Sequence, residues 1–262
     1  MLSPESNVAF YIGNFAIKYY SVIMFCAIFA GSVLSCIMAK KYYKTVSVEK
    51  FLDVLPVVIL SAILGARLYY VLLDLDYYSQ HLIEILAIQK GGISIHGALL
   101  GGFTGGFLWI KKHHLSLWAY ADVFAYGVCL GQIIGRLGNY FNIEAFGRPC
   151  YFSKNLCLYI PEYKRPFEFF NVEYFHPTFL YESIWNIFVL LLLIFIVRKL
   201  AKNIEGIVFF SYLILYSIGR FFIEGVRIDS VLSVGTIHIA QLVSLVFIVF
   251  SFIMIYRFKK QN

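Results

Sequence analysis

The stretch "TFLYESIWNIFVLLLLIFIV", residues 178–197, is an almost continuous run of apolar side chains. A helix that spans a bilayer needs about 20 mostly apolar residues, and this stretch reaches that length. Glu182 interrupts it near the beginning, although a charged side chain inside lipid is costly. The stretch therefore predicts a membrane-spanning helix with an acidic group close to one end.

Six further stretches have a similar length and apolar character. Over the whole chain of 262 residues, 60% are hydrophobic and 14% are charged, whereas a soluble domain carries about 25% charged residues. The sequence thus predicts an all-α integral membrane protein with about seven transmembrane helices. The other predicted helices are 15–39, 51–73, 93–110, 117–135, 206–225 and 237–256.

The connecting loops differ in their content of lysine and arginine. Basic residues follow the first, third, fifth and seventh predicted helices, whereas loop 74–90 carries three acidic residues against a single lysine. Because cytoplasmic loops are enriched in lysine and arginine, we expect the N-terminus outside and the C-terminus in the cytoplasm. Residues 136–177 then form a long external loop. The net charge of +7 fits this topology and contact with lipids, so nucleic acid is not expected as a partner.

Polar side chains gather at the outer ends of these helices. Helices that run in opposite directions all place their polar residues toward the same side of the membrane under the predicted topology. Since intramembrane charges usually mark function or a tight pair, this convergence predicts a site within the membrane that opens outward. The residues are Tyr20, Arg67, His96, Arg136, Asn139, Glu144, Glu182, Tyr216, Arg220, Glu224 and Gln241.

Each of these residues also has a structural interpretation. A structural role for Arg67, either paired with Asp74 or reaching outward to the interface, fits the sequence as well as a functional one. His96, beside a stripe of glycines at which another helix approaches, fits an interhelical hydrogen bond. Arg220 and Glu224 are four residues apart, the spacing of an intrahelical ion pair.

The segment "IGRLGNYFNIEAFGRP", residues 134–149, is unusually polar for this chain. Its glycines permit backbone conformations and close approaches that larger residues forbid, which favours a functional loop. Cys150 and Cys157 follow in the same predicted external loop, seven residues apart. Outside the cytoplasm such a pair either forms a disulfide or remains as two free thiols, and the sequence leaves both possibilities open.

Four linked motifs resemble those of the bacterial prolipoprotein diacylglyceryl transferases, in the same order along the chain. "GRLGNYFNIEAFGRP" resembles the signature loop of that family, and "SIHGALLGG" resembles its histidine–glycine stretch. "HPTFLYES" is similar to its HPSQLYE element, with Phe179 in place of the usual glutamine. "YSIGRFFIEGVRID" has the family's tyrosine, arginine, glutamate and second arginine at the same spacing.

The resemblance implies a transferase in the bacterial cytoplasmic membrane, with residues 1–262 as a single transmembrane catalytic domain. The reaction moves the diacylglyceryl group of phosphatidylglycerol to the lipobox cysteine thiol of a prolipoprotein, the first step of lipoprotein maturation. It forms a thioether and releases glycerol phosphate. The expected partners are phosphatidylglycerol, the signal peptide of the prolipoprotein and membrane lipids. The active site is expected toward the outer leaflet, and neither a cofactor nor a metal is expected.

The resemblance also implies roles for individual side chains. Arg136 and Arg220 are expected to bind the phosphate, because guanidinium stays charged and binds phosphate oxygens bidentately. His96 is the expected base, since imidazole titrates near neutral pH. A mechanism dominated by the arginines uses the same cluster, so the base is not fixed. The other expected substrate-binding residues are Asn139, Glu144, Gly147, Tyr20, Tyr216, Arg67, Glu224 and Arg227.

Two other functions fit parts of the pattern. A small-solute transporter also places polar residues within the membrane, although this chain has no evident repeat and its polar residues lie toward one side. Another outward-facing phospholipid acyltransferase would meet its lipid in the same leaflet. One assay separates the three, because the expected transferase makes a thioether, an acyltransferase makes an ester, and a transporter moves solute without making either product.

Overall fold

Helices dominate the structure, a computed structural model that describes residues 1–4, 6–87, 91–202, 204–228, 233–234 and 237–261. Within those residues, six helical segments are long and apolar enough to cross a membrane. The predicted class, an all-α integral membrane protein, is thereby confirmed, and the chain is a multi-pass membrane protein. The six are α1 (Tyr19–Tyr42), α2 (Val48–Leu73), α5 (Leu117–Asn142), the segment Thr178–Leu200, α8 (Ile207–Glu224) and α9 (Ile239–Gln261).

The segment Thr178–Leu200 is one continuous rod with a local change of winding. It begins as α6 (Thr178–Leu192), passes through a π-helical turn at Leu193–Val197 and ends as α7 (Arg198–Leu200). The apolar stretch 178–197 is therefore helical throughout. Glu182 lies in the second turn of α6, at the polar end of the rod.

One compact unit consists of residues Ala39–Tyr120 and contains α2, α3 (Leu75–Gln80), a 3-10 turn at Leu82–Leu86 and α4 (Ile95–Lys112). Helix α4 occupies the predicted span 93–110. Its glycines, His96 and terminal lysines make it less apolar than the six helices above.

Helices α2 and α4 pack so closely that their backbones are in contact at several glycines. A Cβ on Gly97 would collide with the carbonyl oxygen of Gly65, and one on Gly101 would collide with that of Ser61. The contacting residue numbers rise along α4 from Gly97 to Gly101 but fall along α2 from Gly65 to Ser61. The two helices therefore run antiparallel. The predicted small-residue stripe is therefore a real packing surface of α4.

The other compact unit consists of Met1–Met38 and Ala121–Asn262. It contains most of α1 and α5, and all of α6, α7, α8 and α9. The described part of this unit also has three small antiparallel sheets of two strands each. They pair β1 (Val8–Ile12) with β2 (Phe15–Lys18), β3 (Leu158–Tyr159) with β4 (Tyr174–Phe175), and β5 (Ser233–Val234) with β6 (Ile237–His238).

Several predicted helix boundaries were wrong, and two of them lie next to the predicted site residues Tyr20 and Arg136. The first helix was expected to begin at residue 15, but strand β2 extends to Lys18 and α1 begins at Tyr19. The fourth was expected to end at 135, yet α5 continues to Asn142 and includes part of the predicted loop 136–177. The glycines there suggested a loop, but Gly138 instead gives the ring of Tyr20 room to pack on the helix.

The remainder of the predicted external loop folds around its own apolar core. Helix α5 ends in a Schellman motif, in which Ile143 has a φ of 53° and the N–H of Glu144 donates to the Asn139 carbonyl oxygen at 3.0 Å. A disulfide joins Cys150 to Cys157. The core comprises Ile143, Ala145, Phe146, Leu158, Ile160, Phe175 and Phe179.

A buried carboxylate on α5 caps the start of α8. Asp122 is 1% exposed, and its oxygens accept hydrogen bonds from the backbone N–H groups of Gly206 (2.9 Å) and Phe209 (2.7 Å). The first N–H groups of a helix lack partners within the helix, and an anion there is favourable. The acidic residue that interrupts the span 117–135 is therefore an interhelical cap.

Replacing this cap should destabilise the protein. Asp122→Ala leaves one buried and one partly buried N–H donor without acceptors, so we expect the free energy of unfolding in detergent to fall by about 2 kcal/mol. Asp53→Ala removes an exposed carboxylate from α2 and serves as the control. Equal stability of the two variants would contradict the capping role.

Candidate functional site

Glu182 is the centre of an ion-pair cluster in the unit formed by Met1–Met38 and Ala121–Asn262. Its side chain is 3% exposed, and its two oxygens bind guanidinium groups from two other helices. Oε2 lies 2.6 Å from Nη2 of Arg136 on α5, and Oε1 lies 2.7 Å from Nη1 of Arg220 on α8. The carboxylate thus joins α5, α6 and α8 at their polar ends.

A second buried acid extends the cluster. Oε2 of Glu224 lies 2.7 Å from Nη2 of Arg220, which confirms the intrahelical pair expected from their spacing. Nη1 of Arg227 lies 3.7 Å from Glu182 and 3.8 Å from Glu224. Nδ1 of His238 lies 3.6 Å from Oε1 of Glu224. Among the described residues, three guanidinium groups face two carboxylates.

Main-chain hydrogen bonds fix the loop that carries Gly147 beside this cluster. The N–H of Gly147 donates to the carbonyl oxygen of His176 (2.8 Å), and the N–H of Arg148 donates to that of Val226 (2.9 Å). Gly147 and Arg227 form an isolated antiparallel bridge. These bonds tie the signature loop to the beginning of α6 and to the chain that leaves α8, and so determine where Arg227 lies.

Gly147 is required by close packing. A Cβ at this position would lie 2.8 Å from the carbonyl oxygen of Val226 and 2.9 Å from Cγ2 of Thr178. The space next to its Cα is therefore occupied by protein. The role of Gly147 in substrate binding, which the resemblance implies, stays a prediction.

Other predicted residues of this unit lie around the cluster. Tyr216 lines a narrow crevice together with Glu182 and Arg220. Asn139 is half-buried on α5, one turn beyond Arg136. The side chain of Glu144 is exposed and accepts a hydrogen bond from Nδ2 of Asn142 at 3.4 Å. The remaining lining residues of the crevice are Trp185, Asn186, Gly219 and Ile223.

Arg67 belongs to the unit Ala39–Tyr120, where it is bound by main-chain carbonyl groups. It is 6% exposed and donates to the carbonyl oxygens of Ile85 (2.8 Å), Gly91 (3.0 Å) and Gly92 (2.7 Å), and also to that of Glu84. These contacts support a structural role in holding the chain between α3 and α4. The expected contact of Arg67 with substrate stays a prediction.

His96 belongs to the same unit as Arg67. It is the second residue of α4, its side chain is exposed, and its ring centre lies 6.1 Å from that of Tyr69. An exposed imidazole at a helix N-terminus is accessible to a substrate. Its expected role as the base stays a prediction.

Two members of the cluster have no role that was predicted from the sequence. Glu182 was recognised as an intramembrane acid, but its position between Arg136 and Arg220 depends on tertiary packing. His238 was not considered, because it lies at the edge of the last span among residues with no motif. Arg136 and Arg220 were expected to bind the substrate phosphate, and the carboxylate that they share was not predicted.

Comparison with known proteins agrees with the four motifs. The sequence model of the family described as "Prolipoprotein diacylglyceryl transferase" matches residues 7–257. The chain belongs to the prolipoprotein diacylglyceryl transferase family. The resemblance drawn from the motifs is thereby confirmed.

Relatives in this family are similar along nearly their whole length. The phosphatidylglycerol–prolipoprotein diacylglyceryl transferase of Clostridium botulinum strain Langeland is 41% identical over 255 residues, covering 97% of this chain and 98% of the relative. Proteins of the same name from Acaryochloris marina and Thermosynechococcus vestitus are each 43% identical. Their alignments cover 93% and 90% of this chain, and 87% and 86% of the relatives.

A methyl group at Gly147 should disturb the cluster. In Gly147→Ala the new Cβ must displace the backbone at Val226, so we expect lower transferase activity and a loss of about 1–3 kcal/mol in unfolding free energy. Gly131→Ala is the control, because its Cβ would lie 3.6 Å from the nearest atom, an ordinary contact. Activity and stability equal to those of this control would show that the close packing is unimportant.

Proposed function

We propose that the protein transfers the diacylglyceryl group of phosphatidylglycerol to the lipobox cysteine thiol of prolipoproteins. The observation that carries this proposal is the cluster of Arg136, Arg220 and Arg227 around two buried carboxylates, on motifs of the prolipoprotein diacylglyceryl transferase family. Relatives at about the same length carry this activity in their names. The reaction forms a thioether and releases glycerol phosphate.

The charge of the cluster suits the lipid substrate. The phosphodiester of phosphatidylglycerol carries one negative charge, and the described residues of the cluster present three guanidinium groups and two carboxylates. Arg136 and Arg220 present guanidinium groups from two helices, and guanidinium binds phosphate oxygens through paired, charge-assisted hydrogen bonds. We therefore assign the phosphate to these two side chains, with Arg227 adding positive charge beside them.

The reaction needs a thiolate and a stabilised leaving group. The thiol loses its proton to a base, for which His96 is our candidate, and the thiolate is the nucleophile. Sulfur bonds to a glycerol carbon of the diacylglyceryl group while the bond from that carbon to the phosphate oxygen breaks. The phosphate leaves with the electron pair, and the arginines stabilise the charge that develops on it.

The other predicted residues are assigned to orienting the substrates. Asn139 and Glu144 lie on or just after the end of α5, and Tyr216 lines the crevice beside Arg220. Tyr20 packs on α5 at Gly138, one residue from Asn139. Glu224 holds Arg220 in place through the pair on α8.

We infer an N-out topology with seven spans in the bacterial cytoplasmic membrane. Helix α4 is about 27 Å long and packs antiparallel to α2, which suits a seventh span. Basic residues lie in the last turns of α1, α4 and α9, as expected where helices enter the cytoplasm. The disulfide in the loop after α5 supports an oxidising compartment on the opposite side. The active site then faces the outer leaflet.

The proposed reaction is tested with the purified protein, phosphatidylglycerol vesicles and a synthetic lipobox peptide. We expect a peptide that carries diacylglycerol through a thioether, together with free glycerol phosphate. An ester-linked acyl product would instead identify a phospholipid acyltransferase. Solute flux without any modified peptide would identify a transporter, and both results would overturn the proposal.

The phosphate assignment predicts a strong effect of Arg136→Lys. Ammonium keeps the charge but lacks the planar fork, so we expect kcat/KM to fall roughly 10–100-fold. Arg257→Lys, which changes an exposed arginine near the end of α9, is a matched control. Unchanged kcat/KM in Arg136→Lys, measured with saturating peptide, would remove Arg136 from the phosphate site.

The assignment of the base predicts a pH-dependent defect in His96→Asn. Asparagine forms hydrogen bonds in a similar volume but does not accept a proton, so the rate at pH 7 should fall by about 10²–10⁴-fold. The substrate thiol, with a pKa near 8.5, ionises without help at high pH, so the variant should recover part of its rate there. A correctly folded variant with the wild-type rate at pH 7 would give His96 a structural role only.

The topology predicts the side of the membrane on which introduced cysteines are labelled. In a variant without Cys26, Cys36 and Cys129, a cysteine at position 155 should react with an impermeant maleimide in intact cells. Cysteines at positions 112 and 260 should react only after the membrane is permeabilised. Protection of position 155 in intact cells would reverse the orientation.

A further inference from the structure

Glu182 binds the two arginines in the way that a phosphodiester would. Each of its two oxygens receives one guanidinium group, Arg136 at 2.6 Å and Arg220 at 2.7 Å. A phosphodiester also presents two equivalent unbridged oxygens and a single negative charge. The carboxylate therefore pairs with the same two guanidinium groups that the lipid phosphate needs, through a hydrogen bond from Arg220 and an ion pair with Arg136.

We propose that Glu182 is a positioning residue that holds Arg136 and Arg220 until the lipid phosphate replaces it, and that it reclaims them when the product leaves. This inference rests on the proposed function and specifies how the phosphate site is kept ordered between turnovers. In the resting protein the carboxylate keeps two like charges on different helices close together. Without a counter-ion the two guanidinium groups would repel each other.

Arg220 has two carboxylate partners, so it can exchange one of them for a phosphate oxygen while the other holds its position. Its Nη2 is bound to Glu224 at 2.7 Å on the same helix, whereas its Nη1 is bound to Glu182. Glu224 also lies near Arg227 and His238. The pair with Glu224 therefore anchors the guanidinium while Nη1 transfers from the carboxylate to a phosphate oxygen.

A carboxylate that competes for the two arginines would help the product, glycerol phosphate, to leave the site. The substrate phosphodiester carries one negative charge, whereas a phosphate monoester carries about 1.5 to 2 near neutral pH. The more highly charged glycerol phosphate would bind the arginines more tightly than the substrate does. Glu182, which is 3% exposed and already within contact of both arginines, competes for them and favours release.

The experiment compares Glu182→Gln with the wild-type protein in detergent. Glutamine keeps the volume and one acceptor oxygen but removes the competing charge. We expect glycerol 1-phosphate, measured by calorimetry at constant ionic strength, to bind the variant on the order of tenfold more tightly. Turnover should show a lower kcat without a higher KM for phosphatidylglycerol, because product release becomes slow. Glu168→Gln, which removes an exposed carboxylate from the external loop, is the matched control and should bind like wild type.

Equal or weaker binding of glycerol 1-phosphate by Glu182→Gln would overturn the proposal, since a purely structural acid would not compete with an anion. If this variant is too unstable without ligand, its melting temperature is measured with and without inorganic phosphate. We expect phosphate to stabilise Glu182→Gln more than it stabilises the wild type, and an equal effect on both would also overturn the proposal.

The binding measurement requires no turnover. A wild-type protein that makes no thioether would therefore refute the proposed function independently of the result for Glu182.

Discussion

The ion pairs of Glu182 with Arg136 and Arg220 are the constraint on which the rest of the site depends. Burying an unpaired charge away from water costs several kcal/mol, so neither the acid nor the arginines are stable at the polar ends of these helices alone. When they are paired, the acid and the two arginines connect α5, α6 and α8 at the polar ends of these helices. The cluster is thus both an interhelical joint and the source of the positive charge that a phosphate requires.

Small side chains at other helix contacts allow this joint to form. A Cβ on Gly31 of α1 would lie 2.5 Å from the carbonyl oxygen of Gly127 on α5, and Ser35 donates to the Val123 carbonyl oxygen at 2.9 Å. In lipid, where helices gain little from hydrophobic association, such close backbone packing and interhelical hydrogen bonds hold a bundle together. The apolar residues define the spans, whereas the small and polar residues determine which helices meet.

Much of this could be predicted from the sequence, because lipid imposes a simple rule on span length. The all-α class followed from the apolar stretches, and the family followed from four motifs that include Arg136 and Arg220. The predicted end of α5 was wrong, because glycines at a helix–helix contact cannot be told from loop glycines in the sequence. The partner of both arginines was also missed, since the contact of Glu182 with residues 46 and 38 positions away in sequence is set by tertiary packing alone.

The cap at Asp122 has a consequence for the depth of the cluster in the membrane. Helix α5 binds the start of α8 through Asp122 and Gly206, and it binds the other end through Arg136, Glu182 and Arg220. Asp122 and Arg136 are fourteen residues apart, as are Gly206 and Arg220, so each interval is about 21 Å of helix. Because the two helices are parallel and their intervals are equally long, Arg136 and Arg220 lie at the same depth in the membrane. One residue inserted into either interval would shift its arginine by about 1.5 Å along the membrane normal and rotate it by about 100° away from Glu182.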